Sequence, residues 1–437
     1  MEGEPPVTVN KFSGHLLVNS KLPKRYQDQY VDPETDLMQM LLLEPWIPVI
    51  EGRSIIPSPR SDIVGESEPA FFDVEKTTSL QPQMLQEWLS KSVGPTLIPG
   101  LFKGESATVL LYGQSGIGKE ELFSGDGTNL PNIVEWCSAK IFSEIPEGYE
   151  AVVSVAMVEN YCDTLVDVIN RDTSVVAPPV KIREAATQTD GGTEQHLFCE
   201  NLAWTICSSH QELVEEFRKG LKNVTIGYYN SSASARDLIV TIALDFRDPG
   251  TGCDATKNPI SARFTVACLK GSERVSKTLA TGRSLLEAKS IGLSLSALGN
   301  CIQAMHKSST STQKIHIPFR DSKLTRYLQC SFIFERLMLV GVVSAFRYAK
   351  DESVSTIRFI SRFQSIDCTK TGFGVKHGQY GRGELLLETL ERDIPDKTEG
   401  EPDARMVSLK NDPCRRVIMA NRFHRGCIVV GTKKTQL

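Results

Sequence analysis

The pattern of apolar and polar positions divides the chain into short buried strands and amphipathic helices in close succession. Phe264, Val266, Cys268 and Leu269 read as a buried strand running into a Lys-Gly turn, and apolar residues recur at helical spacing from Leu285 to Met305. A strand therefore ends at a glycine-hinged loop feeding a long helix, a layout that suits a phosphate-sensing switch and equally any α/β protein. ATVLLYG from Ala107, LIVTIALDF from Leu238 and MLVGVVSA from Met338 read as further strands. Met84, Leu85, Trp88 and Leu89 lie at helical spacing in a run expected to stop near Gly94-Pro95. Ser208 to Leu221 reads as an amphipathic helix with Ser209 as N-cap, and the stretch before it as a hairpin turning at Asp190-Gly191-Gly192.

Composition narrows the class. With 437 residues, 40% hydrophobic and 23% charged, the chain can bury one large core or two smaller ones. A net charge of −4 gives no global basic field for nucleic acid or membrane, so an anionic partner must meet a local basic patch. The eleven cysteines show neither a CxxC pair nor zinc-site spacing, which fits reduced thiols in a cytosolic compartment. The acidic, proline-bearing start MEGEPPVTVN is not a signal peptide.

The candidate chemistry begins after the strand ATVLLYG. Gly113, Gln114, Ser115, Gly116, Ile117, Gly118 and Lys119 have the spacing G-x-x-x-x-G-K, which turns backbone N–H groups toward a polyphosphate while the lysine reaches its outer phosphates. The next position of such a loop is Ser or Thr, whose hydroxyl ligates magnesium; here it is Glu120, followed by Glu121. A carboxylate about 4 Å from a phosphate charge costs roughly 4 kcal/mol at an effective dielectric near 20. Either a phosphate site or a bare strand-to-helix connection remains open. Glu159, Asp163 and Asp167 are read as capping and solvated groups rather than metal ligands, and His196 and His210 have no partners at ligand spacing. In PFRDSKLTRYL, Asp321 or Ser322 can cap a helix with Leu324, Tyr327 and Leu328 inward, leaving Lys323 and Arg326 outside and Arg320 just before them.

GSERVSKT, EAKSIGLSLSALGNCI and HIPFRDSKLTRYL, in that order, resemble the kinesin motor domain. GQSGIGK, FFDV, AVVSVAMVENYCDTLVDVI and ESVSTIRFISRF resemble its other landmarks, so the likeness runs from about Phe71 to Arg362. It implies an α/β fold, a kinesin-like P-loop NTPase three-layer sandwich whose largely parallel central sheet has helices on both faces. It also implies ATP or ADP with magnesium as cofactor and the microtubule, hence tubulin, as partner. The family's first switch, N-x-x-S-S-R-S-H, maps onto Asn230 to Asp237 and keeps Asn230 and Ser234; Arg236, one place late, is a candidate substitute for the arginine that pairs with the second-switch glutamate. The second switch, D-L-A-G-S-E, maps onto Cys268 to Glu273 and keeps Gly271 and Glu273. The metal-related positions are altered at Glu120, Ala233 and Cys268, which argues against magnesium-dependent hydrolysis. Arg274, Lys277, Arg320, Lys323 and Arg326 are the implied microtubule-binding set, with Leu293 where the family has a basic residue. VNSKLPKR matches the family's adenine-side turn poorly, so Lys21 and Pro23 are read as a surface turn.

The resulting division is an N-terminal extension with a candidate first strand (1–70), a motor-like domain (71–362), a Gly-rich linker (363–382) and a C-terminal extension with a short helix and a basic tail (383–437). The helix GELLLETLERDI is too short for a coiled-coil stalk that would join two copies. The leading expectation is a non-motile binding module on microtubules or associated cytoskeletal structures, the flagellar or ciliary axoneme among them, with impaired ATP hydrolysis. A divergent microtubule-stimulated ATPase and a regulatory nucleotide-binding module without microtubule contact stand as alternatives.

Overall fold

The computed structural model describes residues 12–19, 52–57, 71–125, 132–146, 150–170, 178–189, 192–224, 236–247, 260–272, 282–311, 315–371 and 373. Its strands are β1 (Phe12–Asn19), β2 (Gly52–Pro57), β3 (Phe71–Ser79), β4 (Ala107–Gly113), β5 (Glu150–Tyr161) and β6 (Thr164–Asp167), followed by β7 (Lys181–Thr189), β8 (Gly192–Glu200), β9 (Thr205–Cys207), β10 (Asp237–Arg247), β11 (Ile260–Cys268) and β12 (Arg336–Ser344). The helices are α1 (Pro82–Trp88), α2 (Gly94–Leu101), α3 (Lys119–Ser124), α4 (Ile133–Glu144) and α5 (His210–Lys222), then α6 (Gly282–Thr310), α7 (Lys323–Tyr327), α8 (Gln329–Phe334), α9 (Lys350–Gln364) and α10 (Cys368–Thr371).

Every residue of β4 is buried, as a strand covered on both faces requires. It lies between β12 and β11 and runs parallel to both. β1 continues the parallel set between β12 and β3. Outside this parallel centre, β10, β5 and β6 follow β11 in antiparallel pairing, β9 adds to β5, and β2 closes the other side against β3. The strand anticipated within residues 1–70 is thus an interior strand of the main sheet. β7 and β8 form the anticipated hairpin as a separate two-stranded sheet, with Thr189 opposite Gly192.

Alternation along the strands feeds two helical layers. Val109, Leu111, Met338 and Val340 meet Leu85, Leu97, Phe123, Cys137 and Phe217, contributed by α1 to α5. Leu110, Tyr112, Leu337 and Leu339 meet Leu298, Ile302, Leu324, Phe332 and Ile357 from α6 to α9. The three-layer, kinesin-like sandwich follows from these two cores on either side of one sheet.

The first helix does not stop at Gly94-Pro95. A π-helical turn, Leu89–Val93, carries α1 into α2, and Pro95 follows directly on it, so the gap that its missing N–H leaves in the helical bonding falls where the ladder is already widened. Trp88 anchors this layer to the sheet by donating its indole N–H to His15 Nδ1 at 2.9 Å. Lys21, Pro23 and the segment from 374 onward, with its expected helix and basic tail, lie outside the described residues. Among the described residues, no helix is long and apolar enough to cross a membrane.

Candidate functional site

The loop after β4 takes its shape from three glycines with positive φ: Gly113 (+148°), Gly116 (+69°) and Gly118 (+108°). At Gly113 a Cβ would sit 2.3 Å from the Val342 carbonyl oxygen, so the strand exit admits no side chain. Asn19, at the end of β1, donates its side-chain N–H to the Ile117 carbonyl at 2.7 Å and pins the loop to the sheet. Gly113 to Lys119 thus form one continuous turn into α3, with Gly116 exposed.

The side chains around this turn depart from what a nucleotide needs. The Lys119 ammonium is fully buried, pairs with the Glu120 carboxylate, and lies 3.4 Å from the Gln114 carbonyl. Gln114 Oε1, Glu120 Oε2 and Glu121 Oε2 are buried without a hydrogen-bond partner. Cys268 Sγ lies 3.8 Å from the Lys119 carbonyl oxygen, and burial pushes its thiol up to about 12, so it is neutral. The glycine turn would fit a phosphate chain, and Ser272 Oγ beside it is a buried hydroxyl able to donate, but the lysine is already paired and the unpartnered carboxylate oxygens of Glu120 and Glu121 repel phosphate oxygens. The metal position holds a paired carboxylate in place of a hydroxyl, and the residue expected to be acidic is a neutral thiol. These residues do not fit magnesium-ATP in the manner that the resemblance implies.

Beyond β11, Leu269 N–H donates to the Leu111 carbonyl at 3.0 Å and Ser272 N–H to the Gly113 carbonyl at 3.1 Å, which fastens Gly271 and Ser272 beside the loop. Between them Lys270 turns inward. Its backbone N–H donates to Asp237 Oδ1 at 2.9 Å, and its ammonium lies 3.5 Å from Asp237 Oδ2. Asn160 Nδ2 donates to the same Oδ2 at 2.8 Å.

Arg236 is paired on the β5 side, while Glu273, its expected partner in the second switch, lies outside the described residues. The Arg236 guanidinium pairs with Glu159 at 3.2 Å, both side chains buried, and lies over the Tyr161 ring at 5.5 Å. Glu159 is accordingly half of a buried ion pair rather than a capping or solvated group. The other two acids do cap: Asp167 Oδ1 accepts from the N–H groups of Ile169 and Asn170, its Oδ2 from Ala203, and Asp163 Oδ1 from Lys323. Asn230, Ala233, Ser234, Glu273, Arg274 and Lys277 lie outside the described residues.

On the basic face, Ser322 caps α7 by accepting from Thr325 N–H at 3.1 Å, and Leu324 and Leu328 are buried. Lys323 is exposed, as expected. Arg326 is not: its side chain is only 14% exposed and pairs with Glu184 on β7. Arg320 reaches the same carboxylate at 2.8 Å. Sequence reasoning missed Glu184, whose role depends on where the hairpin docks. It also missed Lys270 and Asp237, which stand where the resembled motifs have alanine and histidine; those two departures were the available signal.

The Kinesin motor domain family matches residues 63–366. The chain is 31% identical over 278 residues to kinesin-like protein Klp68D of Drosophila melanogaster, covering 62% of this chain and 32% of that protein. It is 28% identical over 332 residues to kinesin heavy chain isoform 5C of Homo sapiens, covering 74% of this chain and 32% of that one. The chain therefore spans about a third of the length of the curated relatives it matches. Among solved structures, a KIF14 dimer with AMP-PNP in complex with a microtubule aligns with a TM-score of 0.68 at 19% identity, over 87% of this chain and 99% of that chain. A fast kinesin aligns with a TM-score of 0.63 at 25% identity, over 85% and 95% respectively.

Proposed function

The chain belongs to the kinesin motor-domain family, and from that premise we propose that it is a microtubule-binding protein of the cytoplasmic cytoskeleton with impaired ATP hydrolysis, acting as a non-motile structural or binding module. The observation that carries this reading is the pair of the buried Lys119 with the partly exposed Glu120. It occupies the one loop lysine and places a carboxylate where the family's magnesium-ligating hydroxyl belongs. The neutral Cys268 thiol supports it from the second switch. Phosphoryl transfer depends on positioning and on neutralising charge, and both are weakened here. The motor-like domain takes β1 into its sheet and continues past 362, since α9 runs to Gln364 and Phe363 and Ile366 are buried in the core, so the linker begins beyond α10 rather than at 363, with 383–437 as a further extension; an axoneme is one cytoskeletal structure on which such a module can sit.

A divergent microtubule-stimulated ATPase is the second reading, favoured by the intact glycine turn, since Gly113, Gly116 and Gly118 keep the backbone of a phosphate loop. Calorimetry of magnesium-ATP with the purified chain separates the two, alongside pelleting with stabilised microtubules. No detectable nucleotide binding with retained pelleting is the expected result. Tight binding with stimulated turnover establishes the second reading, and absence of pelleting removes both.

A further inference from the structure

Lys270 and Asp237 replace an alanine and a histidine of the two resembled switch motifs, and the fold brings these two replacements into contact. Antiparallel pairing sets Leu238 opposite Cys268, so the first residue of β10 and the chain just past β11 lie side by side. There the Lys270 ammonium lies 3.5 Å from the Asp237 carboxylate, both side chains 0% exposed. The same carboxylate takes the Lys270 backbone N–H at 2.9 Å and the Asn160 side chain at 2.8 Å, so β5 is fastened as well. One residue earlier, Arg236 and Glu159 make a second buried ion pair between β10 and β5. A buried charge without its partner is strongly unfavourable, so neither replacement is tolerable alone; together they form a buried ion pair in which the Lys270 ammonium makes no direct hydrogen bond, and the cross-strand hydrogen bonds are those that the Asp237 carboxylate accepts.

This cross-link lies where the two switches join the sheet and next to the phosphate loop, since Cys268 touches the Lys119 carbonyl and Ser272 is bonded to Gly113. A switch needs two arrangements close in energy that a ligand can bias. Two internal ion pairs at the switch roots favour one arrangement with no ligand at all. We propose that Lys270–Asp237, backed by Arg236–Glu159, is a built-in lock that holds the switch roots in one state irrespective of nucleotide, and so makes partner binding constitutive. The use of the locked face for microtubule binding rests on the reading above; the lock itself does not.

Hydrogen exchange of the full chain without nucleotide tests it. Peptides covering 236–240 and 267–272 are expected to exchange as slowly as 338–342 in β12. Asp237→Asn and Lys270→Met should each speed that exchange at least tenfold with β12 unchanged. Because an unpaired charge can unfold a single variant, the double variant, which removes both charges, is measured too; it should stay folded and still exchange faster than wild type at these two segments alone. Wild-type segments that already exchange fast, or a folded double variant that exchanges like wild type, overturn the lock. In the second arm, microtubule pelleting of wild type in magnesium-ADP, in magnesium-AMP-PNP and after nucleotide removal should give affinities within twofold of one another. A tenfold difference among them overturns the lock. Absence of pelleting in all three overturns the microtubule reading instead, and exchange then decides the lock by itself.

Discussion

The carboxylate of Glu120 neutralises the ammonium of Lys119, its neighbour in sequence, inside the turn that follows β4. The loop thus supplies its own counter-anion. A phosphate group entering here must displace a carboxylate already bound and then remain beside it.

Glu120→Gln removes that competitor while keeping nearly the same side-chain volume. The repulsion removed is at most about 4 kcal/mol, and each 1.4 kcal/mol is about tenfold in affinity. Calorimetry should show measurable ADP binding in the variant, at least tenfold tighter than the detection limit that wild type does not reach. Binding as undetectable as in wild type would mean that the Lys119–Glu120 pair is not what limits binding. Magnesium dependence should stay weak in this variant, because Cys268 remains a neutral thiol.

Glu184 holds Arg320 and Arg326 on the face proposed to meet the microtubule. An acidic partner competes with this carboxylate for both guanidinium groups. Surface ion pairs are worth about 0.2–1 kcal/mol, so Glu184→Gln should strengthen pelleting with microtubules by up to about fivefold at low salt. The gain should shrink as salt is added, because it is electrostatic. Weaker pelleting by the variant would show that Glu184 positions the arginines rather than competing for them.

Much of this architecture was legible in the sequence because local pattern and tertiary role agree. The run Ala107 to Gly113 could only be a buried strand, and Ser209 and Ser322 cap the helices that begin after them. What stayed unread was what non-local pairing decides. Phe12–Asn19 is a short apolar stretch whose place inside the sheet depends on β12, more than three hundred residues away. Gly94-Pro95 looks like a stop, but the π-helical turn before it carries the helix through the proline. The Lys270–Asp237 contact needs the register of β10 against β11, which sequence spacing alone does not fix.

Gly113→Ala probes the loop's backbone rather than its charges. The added methyl would approach the Val342 carbonyl oxygen to 2.3 Å at a φ of +148°, so strand β4 or β12 must shift. A loss of about 2 kcal/mol or more in urea-unfolding free energy is expected. A loss below about 0.5 kcal/mol would mean that the strand exit can relax around a side chain.

The buried thiols give a kinetic prediction. Burial pushes Cys268 and Cys301 up to about 12 each, so at pH 8 only roughly one molecule in ten thousand carries either thiolate. Half-buried Cys162 should react with iodoacetamide well before them, as followed by peptide mass spectrometry. Early modification of Cys268 in the folded chain would contradict its burial beside the loop.

Asp167 links the turn after β6 to the segment before β9, and its protonation should make itself felt in stability. Burial raises its carboxyl above the ordinary aspartate value, while hydrogen bonds from Ala203, Asn170 and Ile169 pull the other way and only partly offset it. With a raised folded value, the native state holds this proton more tightly than the unfolded chain does. Its contribution is therefore fully present below the unfolded value and lost as pH rises through the folded one. Asp167→Asn loses an acceptor for one of the N–H groups, which costs about 1–3 kcal/mol at neutral pH. Because wild type alone gains from the proton, the gap between wild type and variant in urea unfolding should widen from pH 7 toward pH 4. Glu212 is lowered by hydrogen bonds from the Ser208 hydroxyl and N–H, and its loss on acidification is common to both proteins, so it cancels in the comparison. A gap that narrows instead would show that the three N–H donors outweigh burial and that Asp167 is held as a carboxylate.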